Sequence, residues 1–176
     1  MVVIAISGLP GAGTSTVARR LAERLGIGYF SPGEVFKSHS KQGEQAQAAL
    51  DVWLGEGKEK GFHERLDRLQ VDRAKEGDVV VCGKLSVHVL RDIADFKVWI
   101  DCSLEERARR SSKRDGIPLT EAKKKLPERE RIESREWKRI YGIDRAEQKG
   151  MADLVIDSTG LTVDGTVAEI MGRGLS

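Results

Sequence analysis

A glycine-rich segment near the start of the chain has the residue types and spacing to hold a phosphate group. It reads VVIAISGLPGAGTST over residues 2–16, and its glycines are Gly8, Gly11 and Gly13. In the motif G-x-x-x-x-G-K-[ST] such glycines let backbone amides curl round a phosphate, and Ser15 occupies the hydroxyl position that ligates Mg²⁺. Thr14 occupies the motif's lysine position, so one positive charge is missing. The segment predicts a phosphate cradle; an ordinary strand-to-helix turn with accidental glycines is the alternative.

Short apolar runs alternate with longer charged segments along the chain, which is the pattern of a parallel sheet wrapped by helices. We predict strands at 2–6, 28–31, 78–82, 96–101 and 153–157. We predict helices at 13–25, 33–55, 62–76, 86–93, 103–113, 118–142 and 163–172. The dense Val and Ile content of most of these strands is typical of strands buried on both faces. The expected fold class is therefore α/β, a three-layer arrangement of about five parallel strands flanked by helices.

The carboxyl ends of the strands are where an open α/β sheet binds its ligand. The loops that follow the central strands are 7–16, 82–85 and 101–103. An apolar strand before the glycines and an amphipathic helix after them, with Val17, Leu21 and Leu25 on one face, give the motif the context it requires. We therefore expect the three loops to converge on one crevice.

Length and charge narrow the class of protein. The 176 residues fit one domain, 1–176, large enough to bury a core without disulfides or a structural metal. Lys and Arg number 30 and Asp and Glu 28, so the net charge of +2 gives no argument for a nucleic-acid or membrane partner. No stretch approaches the roughly 20 apolar residues that span a bilayer, and no basic leader precedes the first apolar run. We expect a cytoplasmic monomer whose partners are small molecules.

The cysteines and histidines show no metal-ligand pattern. Cys82 and Cys102 lie in or beside apolar strand-like runs, and the histidines are His39, His63 and His88, with no shared spacing. We expect buried, reduced thiols and no metal role for the histidines. The three tryptophans are too widely separated to form a stacking platform for nucleic acid.

Arginines are concentrated between residues 105 and 139, interspersed with Glu. A phosphoryl-transfer site needs cations around the transferring group, and arginines on a mobile flap supply them when substrate is present. A solvated helical pair laced by i,i+4 ion pairs is the alternative for any one of them. Gly116 and Pro118 break the region into two helices, and a closing lid would hinge there.

The chain resembles the archaeal branch of the cytidylate kinases, within the nucleoside monophosphate kinase group. The resemblance is carried by GLPGAGTST, LDRLQVDRAKEGDVVVCGKL, FKVWIDCSLEERARR and above all REWKRIYGID, and it runs almost the full length to ADLVIDST. It implies a P-loop kinase fold that transfers the γ-phosphate of ATP to CMP or dCMP with Mg²⁺. It also implies a monophosphate-binding flap at 33–60 and an arginine-rich lid at 110–140. Threonine in place of the loop lysine is usual in that branch.

The resemblance also implies roles for individual residues. The donor phosphates would be wrapped by Gly8, Leu9, Pro10, Gly11, Ala12, Gly13, Thr14, Ser15 and Thr16, with Ser15 on the metal. The catalytic arginines would be Arg110, Arg114, Arg129 and Arg135. The acceptor would be bound by Lys37, Arg68, Gly83 and Lys84. A cation from the lid could then compensate for the missing loop lysine, and no general base is needed because the acceptor phosphate is already nucleophilic.

Several positions depart from the family's pattern. Lys37 and Lys84 stand where arginine is expected, and lysine lacks arginine's bidentate fork. Leu69 stands where a second arginine often follows. Cys82 stands where an acidic residue would end the strand and hold the water shell of Mg²⁺, for which a thiol is too soft. Asp101, at the end of the next strand, is a candidate substitute, or simply a strand-end carboxylate.

Two other functions stay open at this point. One is a kinase of another nucleoside monophosphate or of a small hydroxylated metabolite, favoured by the changes on the acceptor side. The other is a degenerate ATP-binding protein without kinase activity, favoured by Thr14 and Cys82 and opposed by the lid arginines. Glu34 and Asp67 could recognise base or ribose, or could be solvent-facing helix charges.

Overall fold

Five strands form the framework of the protein, whose computed structural model describes residues 1–34 and 60–174. They are β1 (Val3–Gly8), β2 (Gly28–Phe30), β3 (Val79–Cys82), β4 (Phe96–Asp101) and β5 (Leu154–Asp157). All five predicted strands are confirmed, close to their expected bounds. Most of the predicted helix 33–55, most of the predicted flap 33–60 and Lys37 lie outside the described residues.

The strands form one parallel sheet in the order β2-β3-β1-β4-β5. β1 lies at the centre, where Ile6 pairs with Cys82 of β3 and with Val98 of β4. Every residue of β1 is buried, because strands cover both of its edges and helices cover both faces. β1 reaches Gly8, beyond its predicted end at Ile6, because its ladder with β4 continues to Ile100. The predicted α/β fold with a parallel sheet is confirmed.

The helices of the described ranges mostly follow the predicted pattern. They are α1 (Thr14–Leu25), α2 (Lys60–Lys75), α3 (Ser86–Val89), α4 (Leu104–Asp115), α5 (Leu119–Tyr141), α6 (Arg145–Gly150) and α7 (Val163–Gly174). The helix predicted at 86–93 is wrong in extent, because the helix in the structure, α3, ends at Val89. The chain must turn back into β4 there, and Asp95 fixes the turn by accepting a hydrogen bond from the Val3 amide at 2.8 Å.

Helix α6 was not predicted. It is short, and its start is fixed by a capping box: Asp144 accepts from the Glu147 amide at 2.9 Å, and Glu147 accepts from the Asp144 amide at 2.6 Å. In the parts of the chain that the structure describes, no helix combines the length and hydrophobicity needed to span a bilayer.

Apolar side chains pack on both faces of the sheet and give the fold its three layers. On one face α1 and α7 cover Ile4, Ile6 and Val98 of the central strands. On the other face α2 and α3 cover Ala5 and Val81. The alternation of Ile4 and Ile6 with Ala5 follows from the two-residue period of a strand. Both cysteines are buried and free, as expected.

Helices α4 and α5 form a hairpin beyond the carboxyl edge of the sheet. Gly116 ends α4 in the left-handed region with φ 67°, and Pro118 precedes α5, so the predicted break between two helices is confirmed. Helix α5 continues for 23 residues through Pro127, which has no amide to donate within the helix. The two helices meet through a small cluster that includes Ala108 and Leu126.

Candidate active site

The glycine segment forms a tight loop between β1 and α1. A Cβ on Gly8 would lie 2.3 Å from the carbonyl oxygen of Ile100, so only glycine fits where the loop leaves the sheet. Gly11 and Gly13 have φ of 81° and 84°, which other residues rarely adopt. Helix α1 begins at Thr14 with no side chain capping its first amides. Those amides and the helix dipole favour an anion, so the loop fits a phosphate group.

Hydrogen bonds draw the neighbouring loops onto this segment. The Ser7 hydroxyl donates to the Gly83 carbonyl at 2.7 Å, which joins the ends of β1 and β3. The buried Arg107 of α4 donates to the carbonyls of Pro10 at 3.1 Å and Cys102 at 3.0 Å, which ties the end of β4 to the glycine loop. The predicted convergence of the three loops is confirmed.

A pocket opens beside the loop and encloses about 820 Å³, including its open mouth. The glycine loop and the end of β3 contribute Thr14, Ser15, Cys82, Gly83, Lys84 and Leu85. The segment after β2 contributes Ser31, Pro32 and Gly33. Helix α2 contributes His63, Leu66, Asp67 and Gln70, and α5 contributes Arg129, Glu133, Trp137 and Tyr141. The members from each helix recur every three or four positions, so each helix turns a single face to the pocket.

Charged groups gather at the end of the pocket nearest the glycine loop. The Arg129 Nε donates to Glu133 Oε1 at 2.7 Å, and Glu133 is only 1 % exposed. Its second oxygen, Oε2, has no hydrogen-bond partner among the described residues. The Lys84 ammonium donates to the Gly8 carbonyl at 3.4 Å. Glu133 is thus hydrogen-bonded to Arg129, and Lys84 lies near enough for its charge to act on the same carboxylate.

Burial and mutual charge shift the titration of this group. Burial lowers the pKa of the Lys84 ammonium to about 7, with Arg129 adding to the fall and Glu133 opposing it. Burial alone would raise the pKa of Glu133, but Arg129 and Lys84 outweigh burial and hold that pKa below its ordinary value. With Lys84 protonated, the two positive charges exceed the single negative charge of Glu133, so the cluster favours an incoming anion.

Aromatic rings and a carboxylate line the other end of the pocket. The Tyr141 hydroxyl donates to Asp67 Oδ2 at 2.6 Å. The Tyr141 ring meets His63 and His88 edge to face, at centroid distances of 6.2 and 5.9 Å. Burial raises the pKa of Asp67 above its ordinary value, and the bond from Tyr141 opposes that rise. Trp137, 2 % exposed, closes this wall. A flat ring bearing a hydrogen-bond donor suits such a wall.

The structure brings some of the predicted arginines to the loop and leaves others outside. Arg129 lines the pocket. Arg110 lies on the outer side of the loop, where its Nη1 donates to the Ala12 carbonyl at 3.1 Å and its Nη2 to the Ser158 carbonyl at 2.7 Å. Arg114 is exposed and pairs with its neighbour Asp115.

The remaining predicted residues are divided in the same way. Thr14, Ser15, Gly83 and Lys84 line the pocket. Arg135 and Arg68 are exposed and do not line it. Arg135 lies on another side of α5 from Arg129, and Arg68 directly follows the pocket residue Asp67 on α2.

Cys82 and Asp101 bear on the predicted metal position. Cys82 is 2 % exposed and lines the pocket beside Ser15; burial raises the pKa of its thiol, with hydrogen bonding from Thr14 and Ser15 opposing the rise. Asp101 does not replace the missing acid there. Its carboxylate faces β5 and accepts from Trp99 Nε1 at 2.7 Å and from Lys149 Nζ at 2.5 Å.

The donor set at the loop therefore fits a cation only in part. Among the described residues no group of three or more His, Cys, Asp or Glu side chains could enclose a metal ion. The Ser15 hydroxyl is the oxygen ligand that the motif provides. Since Mg²⁺ keeps several waters and takes the rest of its ligands from substrate phosphates, one protein oxygen is compatible with it.

Several pocket residues were missed or undervalued by sequence reasoning. They are His63, Gln70, Glu133, Trp137 and Tyr141 as lining residues, together with Asp67, whose alternative as a solvent-facing charge is wrong. The signal that could have found them is periodicity. The four α5 residues follow one another at intervals of four, and each of the α2 residues lies three or four positions from another member of its set.

Comparison with known sequences is consistent with this geometry. The profile of the cytidylate kinase-like family matches residues 3–160. A cytidylate kinase of Methanopyrus kandleri is 36% identical over 182 residues, covering 94% of this chain and 89% of its own length. A cytidylate kinase of Ignicoccus hospitalis is 35% identical over 175 residues, covering 99% of each chain. The match thus extends over nearly the whole chain.

Solved structures with low sequence identity share the fold. An uncharacterized protein from Eubacterium ventriosum superposes with a TM-score of 0.73 at 18% identity, covering 100% of this chain and 99% of its own. The shikimate kinase of Bacteroides thetaiotaomicron superposes with a TM-score of 0.66 at 15% identity, covering 97% and 96%. At this identity the likeness concerns the P-loop kinase fold alone. Together with the full-length sequence match, it shows that the chain belongs to the cytidylate kinase-like family.

Proposed function

We propose that this protein transfers the γ-phosphate of ATP to CMP or dCMP. The observation that carries the proposal is the single pocket that joins an uncapped glycine loop to an aromatic, carboxylate-bearing cleft, with Arg129 between them. The loop suits the phosphates of a donor, and the cleft suits the base of an acceptor. The curated relatives named cytidylate kinase support the choice of acceptor.

On the donor side, the loop from Gly8 to Thr16 binds the ATP phosphates through its backbone amides. Mg²⁺ would be held by Ser15 and by the phosphates themselves, and it supplies charge neutralisation when bound. Arg110 is already bonded to the loop carbonyl of Ala12, so it holds the loop's outer side in shape. The phosphates thereby have a fixed position relative to the pocket.

On the acceptor side, the protein's work is alignment and charge neutralisation. The monophosphate of the acceptor is nucleophilic at neutral pH, so no general base is required. Arg129 lies between loop and cleft and binds the transferring group, exchanging Glu133 for phosphate as its partner. Asp67, oriented by Tyr141, accepts a hydrogen bond from the base or sugar. These residues hold the two phosphates in line.

An acceptor panel tests the proposal. ADP release from ATP and Mg²⁺ is measured with CMP, dCMP, UMP, AMP, GMP and shikimate in parallel. We expect turnover with CMP and dCMP that exceeds turnover with the other acceptors. Preferred turnover of another monophosphate or of shikimate would replace the proposed acceptor, and ATP binding without turnover would favour the degenerate binder.

Removing the Tyr141 hydroxyl should weaken acceptor binding. We expect Tyr141→Phe to raise the KM for CMP about tenfold and to leave the KM for ATP unchanged. The reason is that the charged Asp67 loses the hydrogen bond that orients it toward the acceptor. The pKa of Asp67, already raised by burial, rises further without the tyrosine, so the loss should grow as the pH falls. Steady-state kinetics at pH 5.5 and pH 8 measure both effects.

Thr159→Val is the matched control for this change. The Thr159 hydroxyl also donates to a carboxylate, Asp157 Oδ1, at 2.5 Å, but Thr159 does not line the pocket. An equal rise in KM in the two variants would show that the effect is general and not due to the cleft.

The two cysteines support a reducing compartment. Cys82 and Cys102 are the two cysteines of the chain, and they do not form a disulfide with each other. Free thiols are typical of cytoplasmic proteins. The proposal therefore includes a cytoplasmic location. Sedimentation of the purified protein tests the monomeric state expected from the sequence.

A further inference from the structure

The Lys84 side chain lies against the base of the glycine loop. Its position follows from the sheet: Ile6 of β1 pairs with Cys82 of β3, so the two strands bring Gly8 and Lys84 side by side where they end. The Gly83 amide donates to the Ile6 carbonyl at 3.1 Å, which continues the pairing past Cys82. The Lys84 ammonium then donates to the Gly8 carbonyl at 3.4 Å.

Lys84 and the loop residue Thr14 line the same pocket. Thr14 occupies the position at which the motif has lysine, but its side chain is short: its Cγ2 lies 2.8 Å from where a Gly8 Cβ would be. The methyl group is therefore packed at the root of the loop and carries no charge. The ammonium beside that root comes from the neighbouring strand.

We propose that Lys84 binds the phosphates of the donor nucleotide and supplies the positive charge that the loop lacks at Thr14. The inference rests on the donor half of the proposed function and assigns Lys84 a role different from the acceptor-binding role that the family resemblance implies. The acceptor phosphate is then left to Arg129. The buried Glu133 is the hydrogen-bonded partner of Arg129, and its negative charge also favours the charged form of Lys84.

Arg110, which also contacts the glycine loop, does not fill this position. Arg110 donates to the Ala12 carbonyl, to Ser158 and to Glu106 Oε1, and it does not line the pocket. It lies on the outer side of the loop, whereas Lys84 lies on the side that faces Ser15 and Arg129. A lid arginine is therefore not required to replace the loop lysine.

Binding of each nucleotide on its own, with no phosphoryl transfer, tests the inference. ADP and CMP affinities are measured separately by calorimetry for the wild type, Lys84→Met, Thr14→Lys and the double variant. We expect Lys84→Met to weaken ADP binding about 10- to 100-fold, the loss of a charged hydrogen bond, with CMP binding changed less than threefold. Thr14→Lys in the Lys84→Met background should restore most of the ADP affinity.

The opposite pattern would overturn the inference. That pattern is a loss of CMP affinity in Lys84→Met with ADP affinity retained. A tenfold gain in ADP affinity from Thr14→Lys alone would also overturn it, because the wild-type loop would then lack a cation. This second result does not depend on whether Lys84→Met folds. The ADP measurements need neither CMP nor turnover, so a failure of CMP turnover would refute the proposed acceptor and leave the ADP test of Lys84 intact.

Discussion

Replacing Arg129 with alanine should lower kcat for CMP phosphorylation by about three orders of magnitude, the range measured for arginines that stabilise transferring phosphoryl groups. Arg129 is the pocket arginine between the loop and the cleft, and its side chain is 11% exposed. Its guanidinium neutralises charge that develops only during transfer, so the KM values should change less than kcat. Steady-state kinetics of the purified variant measure the change.

Three further variants make this result specific. Arg131→Ala removes an exposed arginine two positions away on the same helix and should leave kcat within twofold of the wild type. Arg129→Lys keeps the charge without the bidentate fork and should fall between wild type and alanine. Arg135→Ala should cost far less than Arg129→Ala, because Arg135 is exposed and outside the pocket. A loss in Arg135→Ala as large as that in Arg129→Ala would contradict the proposed role.

Replacing Glu133 with leucine should destabilise the protein by about 3–5 kcal/mol, the usual effect of removing one partner of a buried ion pair. The change leaves Arg129 enclosed without its hydrogen-bonded partner and removes the negative charge that favours the charged form of Lys84. A bound phosphate compound can take its place, so ADP should raise the Tm of this variant more than that of the wild type. Thermal unfolding with and without ADP measures both effects. Equal ADP shifts in the two proteins would contradict the counter-ion role.

The pH dependence of stability gives Glu133 a separate signature. Its native pKa lies below the ordinary 4.5, so its stabilising contribution is present above pH 4.5 and is lost as the pH falls through the native value. Glu133→Gln should therefore lose less stability than the wild type on acidification in this range. Glu128→Gln, which changes an exposed carboxylate on the same helix, should follow the wild-type curve. Denaturant unfolding at a series of pH values gives the comparison.

The phosphate-binding half of the site could be predicted from local sequence. A glycine loop between an apolar strand and an amphipathic helix can be recognised from residues that are neighbours in sequence. Gly11 and Gly13 are needed for their positive φ, and Gly8 is needed because a side chain would collide with the backbone of β4. The break at Gly116 is local in the same sense. The strands could be predicted because β1 and β3 are buried throughout and β4 is buried at its middle three residues, Val98–Ile100, so each contains a continuous apolar run.

The half of the site lined by α2 and α5 could not be predicted in the same way, because its prediction requires knowing how each helix is rotated about its axis. Arg129 and Arg135 belong to one arginine-rich run, but six positions separate them, which places their side chains about 120° apart round the helix. Only the four-residue spacing from Arg129 to Tyr141 distinguishes the face that lines the pocket. Asp101 was a plausible ligand by position, but its partner Lys149 lies in α6, which was not predicted.

The central place of β1 in the sheet also constrains how the protein folds during synthesis. β1 pairs with β3 and β4, and both are made long after it: Val3 pairs with Val79, and Ile4 with Phe96. At the usual pace of translation the first strand waits on the order of several seconds for its partners. Throughout that time both of its backbone edges lack their partner strands, which leaves an aggregation-prone segment unpaired. The strand that positions the glycine loop is thus the one most dependent on protection in the nascent chain.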